Sequence, residues 1–175
     1  EGYEPQWHHS AKALAAAHRA RFTRLLGRRL DGAWLMWDVE TGSWHAHGPV
    51  VLGFGDTNVE VAHRKFDECA ITWDQIDLTA APDWPALRGE ALDWRPDGHP
   101  DGHPALALVR GRRLRQVNVI ERIMPTQWRP RILHAVEFRF DDGRLAISNA
   151  MDESALSCSD EVDLPIGFWC RVSIA

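Results

Sequence analysis

The first thirty residues carry a helical pattern of apolar and polar positions. Leu14, His18 and Phe22 recur at four-residue intervals, which places them on one face of a helix. Six alanines in the same stretch favour helix, and Ser10 is a suitable N-cap because its side chain can accept a backbone hydrogen bond. The pattern predicts one helix over about residues 9–29, packed on the rest of the domain.

Beyond Gly32 the period of the pattern becomes that of β-strands. Short apolar or alternating runs are separated by turn residues such as Asp-Gly, which accepts the positive φ of a hairpin turn. We expect turns at 41–42, 55–58 and 141–143, and a half-buried strand at 59–62. The other expected strands are 33–38, 43–47, 50–54, 69–73, 114–120, 132–140, 145–148 and 168–174.

The order of these elements predicts the fold class. Strands follow one another at spacings near ten residues without helix-period segments between them, which favours antiparallel over parallel pairing. We therefore predict an α+β, mainly β fold, in which the N-terminal helix packs on an antiparallel β-sandwich or a curved, barrel-like sheet. Residues 1–175 form one domain, with a β-rich body at about 33–175 and an irregular, Pro- and Gly-rich loop at 77–104.

Length and composition are those of an ordinary globular domain. The chain has 175 residues, of which 45% are hydrophobic and 26% charged, so a disordered chain is not expected. No apolar run approaches the roughly 20 residues of a membrane-spanning helix, and we expect no membrane association. Three widely spaced cysteines make a disulfide framework improbable and favour a reducing, cytoplasmic location.

Charge is distributed unevenly along the chain. The formal net charge is −5, but residues 1–30 contain six Lys or Arg and two Asp or Glu, whereas residues 31–175 contain fourteen and twenty-three. The acidic body argues against a dedicated nucleic-acid-binding protein. Binding of nucleic acid through the helix and a second arginine group stays an alternative. That group comprises Arg110, Arg112, Arg113, Arg115, Arg122, Arg129 and Arg131.

Sequence signatures of catalysis are absent. The chain contains no Gly-x-Ser-x-Gly and no Walker-type loop, and the glycine pair at 53 and 55 precedes no helical pattern. Pairs of acidic residues occur mostly at predicted turns, where aspartate serves backbone hydrogen bonding. The sequence therefore favours a protein that is not an enzyme.

Two histidines form the best candidate for a metal site. His45 and His47 share one face if they belong to a strand, and His63 is a candidate third ligand. Imidazole suits zinc, so the alternative function is a small metal-binding domain or a metal-dependent enzyme. A simpler interpretation is that a chain with nine histidines contains a His-x-His pair by chance.

Tryptophan is unusually frequent. The chain has nine Trp against six Phe and one Tyr, and Trp is common at interface hot spots. Trp34, Trp73 and Trp169 lie in apolar strand patterns and are expected in the core. Trp84 and Trp94 lie in the irregular loop, among acidic residues. We predict that these two contact a protein partner together with Asp77, Asp83, Asp93 and Asp97.

Two segments resemble those of a known group of proteins. GPVVLGFGDTNVEV at 48–61 and DGRLAISNAMDE at 142–153 are similar to segments of small β-rich bacterial proteins. Some of these look like immunity or accessory proteins of bacterial toxin systems, and the resemblance covers residues 48–150. Together with the missing catalytic signatures and the acidic body with its Trp-bearing loops, the resemblance supports our leading prediction. This is a non-enzymatic, cytoplasmic, protein-binding function, for which we expect no cofactor. Self-association is compatible with this reading.

Overall fold

Antiparallel strands dominate the structure. The computed structural model describes residues 3–82, 91–99, 102–124, 131–158 and 168–175, except for the side chain of Phe168. Within these residues, six strands form a first sheet and five form a second. The predicted α+β, mainly β class is confirmed, in its sandwich form of two separate sheets.

The first sheet is built from the N-terminal half of the chain. Its strands are β1 (Gly32–Asp38), β2 (Ser43–Trp44), β3 (Val50–Phe54), β4 (Thr57–Arg64), β5 (Glu68–Trp73) and β6 (Leu92–Pro96). The hydrogen-bonded order is β2-β1-β3-β4-β5, and β6 also pairs with β1, along residues 34–38. Gly55, with φ 71°, makes the β3–β4 turn. The predicted turn at 55–58 is confirmed at 55–56, whereas 57–58 belong to β4. Glycine adopts this backbone region without steric cost.

The second sheet is built from the C-terminal half. Its strands are β7 (Leu114–Ile123), β8 (Arg131–Phe140), β9 (Arg144–Asn149), β10 (Ser154–Ser157) and β11 (Phe168–Ser173). They are ordered β10-β9-β8-β7-β11. The predicted hairpin at 141–143 joins β8 to β9, with Gly143 at φ 85° and the Phe140 N–H donating to the Gly143 carbonyl at 3.0 Å.

Helix α1 (Ala11–Leu25) packs against both sheets. Ser10 caps it as predicted, since its Oγ accepts the Ala13 N–H at 3.3 Å. Phe22 is fully buried, with its ring centroid 4.9 Å from that of Trp73 in the first sheet and 6.0 Å from that of Phe138 in the second. The helix therefore shares one hydrophobic core with the sandwich. No helix of the described residues is long and apolar enough to cross a membrane.

Three sequence predictions need correction. The segment 77–104, expected to be irregular, contains β6, which is stabilised by pairing with the distant β1. A second helix, α2 (Pro104–Val109), begins at the last residue of this segment and is capped by His103. The strand expected to be half-buried at 59–62 is buried on both faces. The N-terminal helix also ends at Leu25 instead of residue 29, because Leu26, with ψ 131°, leaves helical geometry and Gly27 follows with φ 83°.

Candidate anion-binding groove beside the first helix

Three arginines of the N-terminal segment face the edge of the first sheet. Arg21 and Arg24 are three residues apart on one face of α1, and Arg28 follows the end of the helix and lines the same cavity. The Arg28 N–H donates to the Leu25 carbonyl at 2.9 Å, so the chain completes a further turn after the helix ends. With Leu25, Thr57, Trp73 and Asp74, these arginines line a cavity of about 290 Å³.

The three guanidinium groups differ in how they are held. Arg28 donates from Nη1 to the Asp56 carboxylate at 2.7 Å and to the Phe54 carbonyl at 3.1 Å. Arg21 lies over the Trp73 ring, with Cζ 5.4 Å from the ring centroid. Arg24 has no hydrogen bond, ion pair or ring contact within the described part of the chain. Two of the arginines are thus positioned by the protein, whereas Arg24 is exposed and its donors have no partner within the described residues.

A second cavity adjoins the first. It measures about 350 Å³ and shares Arg21 and Trp73 with its neighbour. Its remaining wall residues are Glu4, Gln6, Ala17, His18, Ile71, Thr72 and Gln75. We call the two cavities together the arginine groove: a cationic compartment and a neutral, polar compartment on either side of Trp73.

His18 supplies the neutral compartment with a hydrogen-bond donor. The Trp73 Nε1–H donates to His18 Nδ1 at 3.1 Å, so the neutral imidazole carries its proton on Nε2. Burial, together with His8 and Arg21, lowers the pKa of His18 to about 4, which keeps the ring neutral near pH 7. Nε2 is buried and has no hydrogen-bond partner within the described residues. A buried donor without a partner within the described residues is uncommon in a folded protein.

The backbone fixes one end of the groove. Asp74 directly follows β5 and adopts a left-handed conformation with φ 58°. Its N–H donates to the Asn58 carbonyl at 3.2 Å, and its carboxylate accepts the Asn58 N–H at 2.6 Å. The wall of the cationic compartment is therefore part of the sheet framework and not a freely moving loop.

The tryptophan surface predicted to contact a protein partner is only partly described. Trp84 and Asp83 lie outside the described residues. Trp94 is half-buried on β6, opposite Met36 of β1, and Asp93 beside it is exposed. These two stay candidates for partner contact.

The other two predicted acidic contacts lie in different environments. Asp77 is exposed, and its carboxylate accepts hydrogen bonds from the N–H and the hydroxyl of Thr79 at 2.9 and 2.6 Å. Asp97 is buried, with 6% exposure, although it was predicted to be at the surface. Its N–H continues the β6 pairing to the Ala33 carbonyl, and its side chain forms an ion pair with Arg110 at 3.3 Å. Burial raises the pKa of Asp97 despite this partner.

The predicted zinc ligands come together only in part. The rings of His45 and His47 lie 5.3 Å apart, and His47 Nε2 lies 3.4 Å from a Glu153 carboxylate oxygen. His63 is buried on β4, and burial lowers its pKa to about 3, with a smaller effect from His134. Within the described residues, no group of three or more His, Cys, Asp or Glu is placed to hold a metal ion.

Most described members of the second arginine group are engaged inside the molecule. Arg110 pairs with Asp97 (3.3 Å), Arg112 with Asp142 (2.9 Å), Arg113 with the Gly27 carbonyl (2.8 Å) and Arg131 with Glu121 (3.2 Å). Arg129 lies outside the described residues. The nucleic-acid footprint suggested by the sequence is reduced accordingly, because these cations already have partners.

Sequence reasoning missed Arg21 and the role of Trp73. The three- and four-residue spacing of Arg21, Arg24 and Arg28 is visible in the sequence and was a usable signal. Trp73 was expected in the core, which is correct at 9% exposure, but its ring also forms the wall between the two compartments.

Comparison with protein-family models, curated proteins and solved structures finds no match to the chain.

Proposed function

We propose that this chain is a non-enzymatic protein-binding protein that holds an acidic segment of its partner in the arginine groove. The observation that carries the proposal is the cationic compartment, where two arginines are fixed and Arg24 is without a partner in the described structure. Guanidinium groups match carboxylates in a planar, two-point geometry, and arginine is the cation best suited to such contacts.

The dimensions of the groove favour an extended peptide. At the rise of a helix, Arg21 and Arg24 lie about 5 Å apart along the axis of α1, which is comparable to the rise of two residues of extended chain. Alternate side chains of such a chain point to the same side, so two carboxylates can reach the cationic compartment.

The charge distribution of the chain also favours one orientation of an acidic partner. The rest of the chain is acidic, with fourteen Lys or Arg against twenty-three Asp or Glu over residues 31–175. An acidic partner is repelled by most of that surface and attracted by the groove, and such a field orients a partner before contact. An immunity-like or accessory role in the bacterial cytoplasm, as implied by the resemblance of residues 48–150, requires binding without catalysis and fits this proposal.

Fluorescence anisotropy with a labelled peptide of alternating Glu and Ser tests the proposal. We expect saturable binding that weakens with added salt, and weaker binding of the matched Gln-Ser peptide. Arg24→Gln should weaken binding about fivefold, the effect of roughly 1 kcal/mol for an exposed ion pair. Arg139→Gln is the matched control, because Arg139 is also exposed but lies on β8 outside the groove.

Three results would count against the proposal: equal affinity for the Glu and Gln peptides, equal losses in the two arginine variants, or no saturable binding. A single-stranded oligonucleotide serves as the competitor in the same assay. If it binds the groove more tightly than the peptide does, the nucleic-acid alternative replaces the protein partner.

A further inference from the structure

A third cavity lies on the other side of α1. It is lined by Ser10, Lys12, Ala15, Ala16 and Arg19 of the helix segment and by Glu121, Arg131 and Val172 of the second sheet. At 100° per residue, its helix positions lie opposite those of the arginine groove. Its volume of about 540 Å³ exceeds that of either groove compartment and is in the range of small-molecule sites.

Small apolar side chains form the floor of this cavity. Ala15 is buried at 4% exposure, Ala16 is exposed toward the cavity side of the helix, and Val172 is half-buried on β11. Alanine fills much less space than the leucine that often occupies such helix positions. The gap between α1 and β11 therefore follows from the sequence of the helix.

Basic side chains surround the apolar floor of the cavity. Lys12 has no hydrogen bond or ion pair within the described residues. Arg19 makes one long contact, from Nη2 to the Ser173 carbonyl at 3.4 Å. Lys12 and Arg19 are seven residues apart, so they flank Ala15 and Ala16 along the same face of the helix. Arg131 adds a third cation from β8.

Glu121, the carboxylate in the cavity wall, already accepts hydrogen bonds on both of its oxygens. One oxygen of Glu121 accepts the Ala11 N–H at 2.8 Å, at the start of α1, and the other accepts from Arg131 Nη1 at 3.2 Å. Glu121 is therefore held by the helix N-terminus and by Arg131, and it does not neutralise Lys12 or Arg19. The open side of the cavity is cationic above an apolar floor.

We propose that this cavity binds a medium-chain carboxylate, with its hydrocarbon chain over Ala15, Ala16 and Val172 and its carboxylate between Lys12 and Arg19. The apolar floor selects the hydrocarbon, and the two weakly engaged cations select the negative head group. The inference is independent of the peptide proposal, because the two sites share no lining residue.

Isothermal titration calorimetry with decanoate, below its critical micelle concentration, is the first test. Affinity should fall about fourfold for each methylene removed between decanoate and hexanoate, which is the effect of burying one methylene. Decyltrimethylammonium, which has an alkyl chain one methylene longer and the opposite charge, should bind at least tenfold more weakly. Amide shifts in a two-dimensional NMR titration should concentrate at residues 10–19 and 172.

A pair of alanine variants tests the location. Ala16→Leu places a larger side chain over the floor of the cavity and should weaken decanoate binding at least tenfold. Ala20→Leu changes another exposed alanine of α1, outside the cavity, and should leave decanoate affinity within twofold of the unsubstituted protein. Both should keep the binding of the acidic peptide, so failure at one site is distinguishable from failure at the other. Lys12→Gln should weaken the binding of decanoate and should not weaken the binding of decyltrimethylammonium.

Several outcomes would overturn the assignment. They are the absence of saturable decanoate binding, equal binding of the two head groups, or equal effects of Ala16→Leu and Ala20→Leu. If Ala16→Leu loses the circular dichroism spectrum of the native protein, the combined Lys12→Gln and Arg19→Gln variant takes its place. Unchanged decanoate affinity in that variant refutes the proposal.

Discussion

Substitution of Glu137 tests how the outer face of the second sheet is stabilised. It alternates with the core residues Val136 and Phe138 on β8, so its side chain points away from the core, yet it is fully buried. Its carboxylate accepts Arg144 Nη1 at 2.8 Å and Asn118 Nδ2 at 2.7 Å. Glu137→Gln keeps the shape of the side chain, removes its charge and replaces one accepting oxygen by an NH2 donor.

The expected loss in the free energy of unfolding follows from the burial of Arg144, which pairs with Glu137. The Arg144 side chain is 4% exposed and cannot turn to water when its counter-charge is removed. Breaking a buried pair by removing one partner costs about 3–5 kcal/mol. For a domain of this length, 1 kcal/mol lowers Tm by about 2–4 °C, so we expect a decrease of roughly 10 °C. Arg171 adds less, because its side chain is 46% exposed and can be solvated.

Urea unfolding followed by tryptophan fluorescence and circular dichroism measures this loss. Glu153→Gln is the matched control, since Glu153 is half-exposed and pairs only at the surface with His47, where an ion pair is worth about 1 kcal/mol or less. A double variant with methionine at 137 and 144 should be more stable than Glu137→Gln, because it leaves no buried cation. A loss below about 1 kcal/mol in Glu137→Gln, or a double variant less stable than the single one, would refute this reasoning.

Three further predictions concern acid stability, the helix cap and a close packing contact. His63 and His18 have pKa values lowered to about 3 and 4 mainly by burial, so both are neutral in the folded state while the unfolded chain takes up protons below about pH 6.5. Stability should therefore fall as pH decreases from 6.5 toward 4, by up to about 1.4 kcal/mol per pH unit for each histidine, and His63→Gln should flatten the pH profile of the urea midpoint. Ser10→Ala should cost about 1 kcal/mol in thermal unfolding and Ser10→Asp should not, since only alanine removes the cap. Gly53→Ala places a Cβ 2.9 Å from the Trp34 ring and should cost about 1–3 kcal/mol; an unchanged Tm would show that the ring moves freely.

Local chemistry explains which elements could be predicted from the sequence. The turns at Gly55 and Gly143 depend on residues next to one another, and the period of α1 is visible within the helix itself. β6 was missed because Pro and Gly surround a five-residue strand whose stability comes from pairing with β1. β10 is shorter still, and its first N–H donates to the Ala46 carbonyl, which is distant in sequence.

The candidate sites depend more strongly on tertiary structure. The spacing of Arg21, Arg24 and Arg28 is a local signal, but the position of Trp73 between two cavities is not. The burial of Asp97 was not visible in the sequence either, because the acidic, Pro- and Gly-rich residues around it indicated an exposed loop. Its burial follows from the pairing of the adjacent strand, which the sequence alone did not reveal.

The cations of α1 separate two explanations for the charge asymmetry of the chain. If a basic helix docked on an acidic body mainly through charge, its Lys and Arg would be paired with body carboxylates. Docking instead uses the buried apolar face around Phe22, while Lys12 and Arg24 have no ion pair within the described residues. Arg28 pairs with Asp56, but that carboxylate is 84% exposed and contributes little to stability. The fold therefore does not require most of the helix charge, which leaves it available to anionic ligands on both sides of α1.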